Sequence, residues 1–148
     1  MTDPLQVAIP LKGVESSLPL LPEADYPLQC SESSIDPNKD KTGYNWNLKL
    51  CTTEVYVSTD GREVKPNFPF YFTLALQPRE ESKDKDAYVR NLCEAVDALF
   101  GTTKEDRPEM SRDLVTSAVG KSCIAHVFID NYQGRDNNKI KRLKKLEG

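Results

Sequence analysis

The residues that could do chemistry in this chain are few and scattered. The strongest candidates as ligands or nucleophiles are a single histidine, His126, and four cysteines, Cys30, Cys51, Cys93 and Cys123. No two cysteines form a CxxC pair, so a structural zinc site has no ligand spacing to build on. His126 lies mid-strand between Ala125 and Val127, where a lone histidine reads as a packed residue rather than a base within reach of a serine. Gly120-Lys121-Ser122 looks like the end of a phosphate-binding loop, but Val115 stands where that loop needs glycine, and the residues that follow read as strand. Glu80, Glu81, Asp84, Asp86, Glu105 and Asp106 fall in polar loops or at helix edges and read as solvated charge. No catalytic constellation or metal site is left and no cofactor is expected, so the protein is read as one that binds and not as an enzyme.

The residue types for binding single-stranded nucleic acid are basic side chains that follow phosphates and aromatic rings that stack on bases. Asn45, Asn47, Lys49, Tyr56 and Tyr71 fall on the outward parity of two expected strands, with Arg62 and Lys65 at the hairpin between them. The whole chain has a net charge of −3, yet residues 135–148 carry six basic against two acidic side chains. An acidic body with a basic end points to a polyanionic partner, or else to a solvated tail that keeps the protein soluble. The candidate contact residues are therefore Asn47, Lys49, Tyr56, Arg62, Lys65 and Tyr71, joined by Lys139, Lys141 and Arg142. Trp46, Phe68, Phe70 and Phe72 share the apolar parity and read as core. Tyr56 and Tyr71 also fit half-buried packing positions.

These residues need strands to position them. Residues 1–22 form a proline-rich arm, with Pro4, Pro10, Pro19 and Pro22 breaking any helix; 23–145 form one domain, and 146–148 the C-terminal end. A first strand is expected over Tyr26–Glu32, then a turn-prone stretch from Ser33 to Asn38 and a polar tip from Lys39 to Gly43. Tyr44, Trp46, Leu48 and Leu50 alternate with polar neighbours, the period of a half-buried strand. That strand is expected to continue through a bulge at Thr52-Thr53 into Glu54–Val57, ahead of a turn at Asp60-Gly61. Phe68–Leu76 is the third strand.

From Asp86 to Phe100 the apolar spacing changes to three and four, which predicts an amphipathic helix stopped by Gly101. Ser111 caps a short helix over Arg112–Ala118. Ser122–Asp130 returns to strand, 132–137 is a turn, and Asn138–Leu143 is a last strand. Three strands, a helix and two strands is the chain order of the OB-fold, a five-stranded Greek-key barrel; an α+β sheet with a helix on one face is the other architecture that fits. The class is mainly β. Three of the cysteines sit in apolar periodic segments and read as reduced core residues, although two disulfides are arithmetically open. With no basic cluster ahead of an apolar block and no run of eighteen apolar residues, neither export nor a membrane span is expected, and the location is read as cytoplasmic.

Several segments together resemble the small OB-fold single-stranded-DNA-binding proteins of bacteriophages. They are Pro22–Tyr26, Lys39–Gly43 ahead of the alternating strand, Tyr88–Phe100, Val119–Val127, Asn131–Arg135 and Asn138–Ile140. The resemblance covers roughly residues 20–145. It implies a protein that coats and protects single-stranded DNA during phage replication or recombination, in the host cytoplasm. The partners it implies are that DNA and replication or recombination proteins, with a homodimer as a further expectation. The chain departs from the pattern at its end: many such proteins finish in an acidic tip, whereas this one runs Lys144-Lys145-Leu146-Glu147-Gly148. The alternative function is a non-catalytic structural or interaction module, for example a viral assembly component whose proline-rich arm clasps a neighbour.

Overall fold

A computed structural model of the chain describes residues 8, 10–13, 17–78 and 83–146. Much of the proline-rich arm, Glu80 and Glu81 of the acidic loop, and the last two residues lie outside the described residues. The elements in chain order are β1 (Ala24–Pro37), β2 (Tyr44–Thr52), β3 (Tyr56–Val57), β4 (Glu63–Val64), β5 (Pro69–Ala75), α1 (Ala87–Phe100), α2 (Arg112–Ser117), β6 (Ser122–Tyr132) and β7 (Arg135–Lys144). The fold is mainly β, built on a five-stranded antiparallel sheet in the order β5-β2-β1-β6-β7, with β3 and β4 forming a separate small ribbon. Strands β6-β1-β2-β5 have the spatial order of a Greek key, in which a fourth strand returns beside the first.

The centre of the sheet is β1, which is longer than its sequence predicts. Ser33, Asp36 and Pro37 are turn-forming types, but each is held in register against β2. An extra residue at Ser31, between Cys30 and Glu32, forms a bulge that switches the inward parity. Tyr26, Leu28 and Cys30 are buried before it, and after it the inward positions are Ser33 and Ile35. Trp46 is fully buried, and its indole Nε1–H donates to Ser33 Oγ at 2.8 Å. β1 pairs with β6 from Ala24↔Val127 to Gln29↔Ser122 and with β2 from Leu28↔Thr52 to Pro37↔Tyr44, so Leu28 and Gln29 are flanked by strands on both sides.

β2 ends at Thr52 with Leu50, Cys51 and Thr52 all buried, and the expected bulge at Thr52-Thr53 is absent. The Thr52 hydroxyl accepts from Phe68 N at 3.0 Å, and Thr52 N donates to Phe68 O at 3.0 Å. These bonds turn residues 53–67 into an excursion from the sheet. The Asp60-Gly61 turn therefore joins β3 to β4, not the second long strand to the third. Gly61 takes a φ of 86°, a left-handed value that suits glycine. The other expected turn, over 132–137, shrinks to Gln133-Gly134. Both have positive φ, 52° and 78°, as a two-residue hairpin turn requires, so β7 starts at Arg135.

α1 begins after Asp86 and ends at Gly101, whose φ of 69° and N–H bond to Asp97 O make the C-cap. It buries Leu92, Ala95, Val96, Ala98 and Leu99 against β5, β6 and β7. The edge strands β5 and β7 approach each other beneath it without sharing a hydrogen-bonded ladder. A second bulge, at Lys141 in β7, separates the inward residues Ile140 and Leu143 by three positions. No helix among the described residues is long and apolar enough to cross a membrane.

The inner end of the arm is part of the domain. Leu21 is fully buried, and the Asn138 side chain bonds both its N–H (2.8 Å) and its C=O (2.9 Å). Thr59 N donates to Leu20 O at 2.8 Å.

Ser33→Ala would leave the buried Trp46 N–H without its acceptor. Such a loss costs about 1–3 kcal/mol. Urea unfolding should show a lower midpoint with an unchanged slope, and an unchanged midpoint would mean that the indole finds another acceptor.

Candidate functional site

The register of the sheet sorts the expected contact residues into three groups. On the outer face of β1, β2 and β5, one row across the strands is Glu32–Lys49–Tyr71 and the next is Ser34–Asn47–Thr73. The structure therefore brings Asn47, Lys49 and Tyr71 together. Tyr71 is 69% exposed, so its ring is presented to solvent and is not packed. Lys49 is 3.9 Å from Glu32, the outer limit of an ion pair, so its ammonium is steered but not locked. Thr73 Oγ1 donates to Asn47 Oδ1 (2.8 Å), and Asn47 Nδ2 donates to Asp36 Oδ2 (2.9 Å). Ser34 Oγ donates to the same oxygen at 2.7 Å. Hydrogen bonds from Ser34 and then Asn47 hold the Asp36 carboxyl below its ordinary range. This polar chain fixes the three strands beside Tyr71 and makes Asn47 a framework residue.

The second group lies on the β3–β4 ribbon, away from the β2–β5 face where its parity had placed Tyr56. The Tyr56 ring packs edge-on against Tyr26, with centroids 4.9 Å apart at 87°. Burial, with Glu54 adding to it, raises the Tyr56 hydroxyl pKa. Arg62 Nε donates to Asp60 Oδ2 (2.8 Å), and its Nη1 donates to the carbonyl of Ser17 (2.8 Å). It therefore anchors the arm. Asp60 is held down to about 2 by Arg62 first and by the Ser58 hydroxyl second. Lys65 is exposed on the loop after β4.

The third group lies along β7. Lys139 is paired with Asp130 at 2.9 Å. Lys141, at the bulge, is exposed and lines a small cavity together with Phe72 and Thr73 of β5 and Asn91 and Glu94 of α1. Arg142 stands opposite His126 on the outer face. Among the described residues, Lys65, Lys141 and Arg142 have no carboxylate within ion-pair distance.

His126 is not packed among apolar side chains as its neighbours imply. Cys123, Ala125 and Val127 take the inward positions of β6, which turns His126 outward. Its Nδ1 is 2.8 Å from Asp25 Oδ1 and its Nε2 is 3.2 Å from Glu23 Oε2. Both ring nitrogens thus face carboxylates and neither faces a nucleophile. His126 and then Lys144, at 3.0 Å, hold the Asp25 carboxyl below its ordinary range.

The four cysteines are unpaired. Burial pushes the Cys30 thiol up to about 11 and the Cys123 thiol up to about 12, so neither is poised as a thiolate. Among the described residues, no group of three His, Cys, Asp or Glu side chains is arranged to hold a metal ion.

Two exposed aromatics escape a reading by parity. Tyr44, 57% exposed, has the parity of the core but stands at the first position of β2, beyond the layer that buries Trp46. Tyr132, 62% exposed, ends β6 beside the Gln133-Gly134 turn and is paired with Arg135. Its place next to a turn is the one local signal that marks it. No protein-family model and no curated protein sequence matches the chain.

The Asp60–Arg62 pair sets a pH expectation for the ribbon. A carboxylate lowered in the folded state stabilises above its unfolded pKa, and the contribution is lost as pH falls through the folded value. Carbonyl NMR of Asp60 should titrate near pH 2, and Arg62→Ala should move the midpoint up toward 3.8. A midpoint already near 3.8 in the unaltered protein would contradict the pairing.

Proposed function

We propose that the chain is a single-stranded-DNA-binding protein, and that it holds the strand across the outer face of β1, β2 and β5. The observation that carries this reading is the exposed Tyr71 ring directly opposite Lys49 on a hydrogen-bonded polar sheet. An aromatic face beside an ammonium suits a base followed by its phosphate. The Greek-key order and the close approach of edges β5 and β7 support an OB-type barrel, a partly open form that binds oligonucleotides on its second and third long strands. Those two strands are β2 and β5. Lys141 extends the cationic track past β5, with Arg142 and Lys65 as outlying phosphate contacts. Tyr56 and Arg62 serve this site by holding the ribbon and the arm, and Lys139 is already engaged with Asp130.

In biological terms this reading is protection of single-stranded DNA during phage replication or recombination in the host cytoplasm, without catalysis. The alternative, an assembly module whose arm clasps a neighbour, has less support. Ser17, Leu20 and Leu21 at the inner end of that arm are bonded to their own domain.

Fluorescence anisotropy with labelled oligo-dT should show binding in low salt, with duplex of the same length binding more weakly. Two or three phosphate contacts on a single strand give a log–log salt slope of about −1.4 to −2. Tyr71→Ala removes a stacking partner worth about 1–3 kcal/mol, so affinity should fall roughly 5- to 150-fold. Glu32→Gln frees Lys49 from its competing carboxylate and should tighten binding at low salt. Absence of any shift at micromolar protein would end the proposal.

A further inference from the structure

Away from Lys49, Tyr71 and Lys141, a groove of about 690 Å³ opens between α1 and the segment that leads into α2. Its walls are Leu76 after β5, Tyr88, Leu92, Cys93 and Val96 on α1, and Met110 ahead of α2. Leu92 and Val96 are buried residues that form its floor, while Met110 is partly buried against the core. A methionine wall can adapt its shape to what it meets. The size falls within the range of ligand pockets. At the lip, Val89 is 42% exposed and carries the apolar surface outward beyond the cavity.

Two arginines line the same groove, and their states differ. Arg107 is committed to Asp97 through two bonds, Nε to Oδ1 at 2.9 Å and Nη2 to Oδ2 at 2.8 Å. Arg112 is exposed, and among the described residues its guanidinium makes no hydrogen bond or ion pair. A free guanidinium beside an apolar floor calls for a ligand with both a carboxylate and apolar side chains, since arginine binds carboxylate through a two-point fork.

We propose that this groove docks a short amphipathic segment of a partner protein, with apolar side chains against Leu92, Val96 and Met110 and a carboxylate on Arg112. The apolar lip at Val89 favours a peptide over a small amphiphile, because a peptide can cover surface outside the cavity as well as fill it. Docking of this kind matches helix-in-groove recognition, in which a few apolar anchors enter the groove and a polar rim sets orientation. The site shares no lining residue with the Lys49–Tyr71 face, so the two partners would be held at once.

The test uses the full chain and a fluorescein-labelled synthetic peptide of leucine, phenylalanine and aspartate with a free C-terminal carboxylate. Cys93 is the reporter: Cys30, Cys51 and Cys123 are buried, so maleimide added to the folded protein reads Cys93. The peptide should bind saturably by anisotropy and should slow Cys93 labelling about fivefold or more. Arg112→Gln, and separately a peptide with asparagine and a C-terminal amide, should each weaken binding about five- to tenfold. Val89→Glu, at an exposed position that folding tolerates, should do the same. Oligo-dT affinity of the Arg112→Gln protein should stay within about twofold, so failure of this site and failure of the nucleic-acid reading are seen separately. The proposal is overturned by no saturable binding, by binding indifferent to both charge removals, or by protection of Cys93 by sodium decanoate and not by the peptide. Parallel loss of oligo-dT binding in Arg112→Gln would also overturn it, since the groove would then belong to the nucleic-acid face.

Discussion

The Trp46 indole is buried whole, and its N–H must find an acceptor inside the protein. Ser33 can supply one only because the extra residue at Ser31 turns it inward. Without that bulge, the positions after Cys30 would keep their earlier parity and Ser33 would face solvent. The bulge therefore does two things at once. It satisfies the largest buried side chain, and it bends β1 just past the point where pairing with β6 ends and pairing with β2 continues. The division of the sheet into a buried inner surface and an outer surface carrying Lys49 and Tyr71 follows from that bend.

A comparable device acts in the edge strand β7. Lys141 is the surplus residue of β7, and placing it out of register lets Ile140 and Leu143 both point inward. Those residues face the region where α1 lies across the approaching edges of β5 and β7. The helix covers apolar side chains that neither edge strand could bury alone. Lys141 itself is left exposed, so a core-packing irregularity also sets a cation on the surface.

Much of this arrangement is legible in the chain because it depends on local periodicity. The alternation of Trp46, Leu48 and Leu50 and the three-and-four spacing of α1 locate two walls of the core, and Asp86 and Gly101 bound the helix within a residue. The outward direction of Tyr71 is legible for the same reason. What escapes is decided by partners far along the chain. Ser33, Asp36 and Pro37 have turn-forming side chains, yet a ladder with β2 makes them strand. Tyr56 has the parity of an outward strand face, but the Thr52 bonds to Phe68 take it out of the sheet and against Tyr26. The Asp60–Arg62 contact spans only two residues and was open to a local reading. The Arg62 bond to Ser17 was not, being set by where the arm lies.

The pair of hydrogen bonds between the Asn138 side chain and the backbone of Leu21 joins residues 117 positions apart, and the Asp25–His126 pairing spans nearly as far. Strand β1 thus has one side of its ladder, and the buried leucine before it, waiting on segments made much later in the chain. Helix α1 closes its hydrogen bonds locally, but the sheet beneath it cannot be completed until β6 and β7 emerge. Folds dominated by such distant pairings assemble slowly, on millisecond to second scales. Until those strands arrive, the apolar inner face of β1 and β2 lacks the neighbours that bury it in the finished fold.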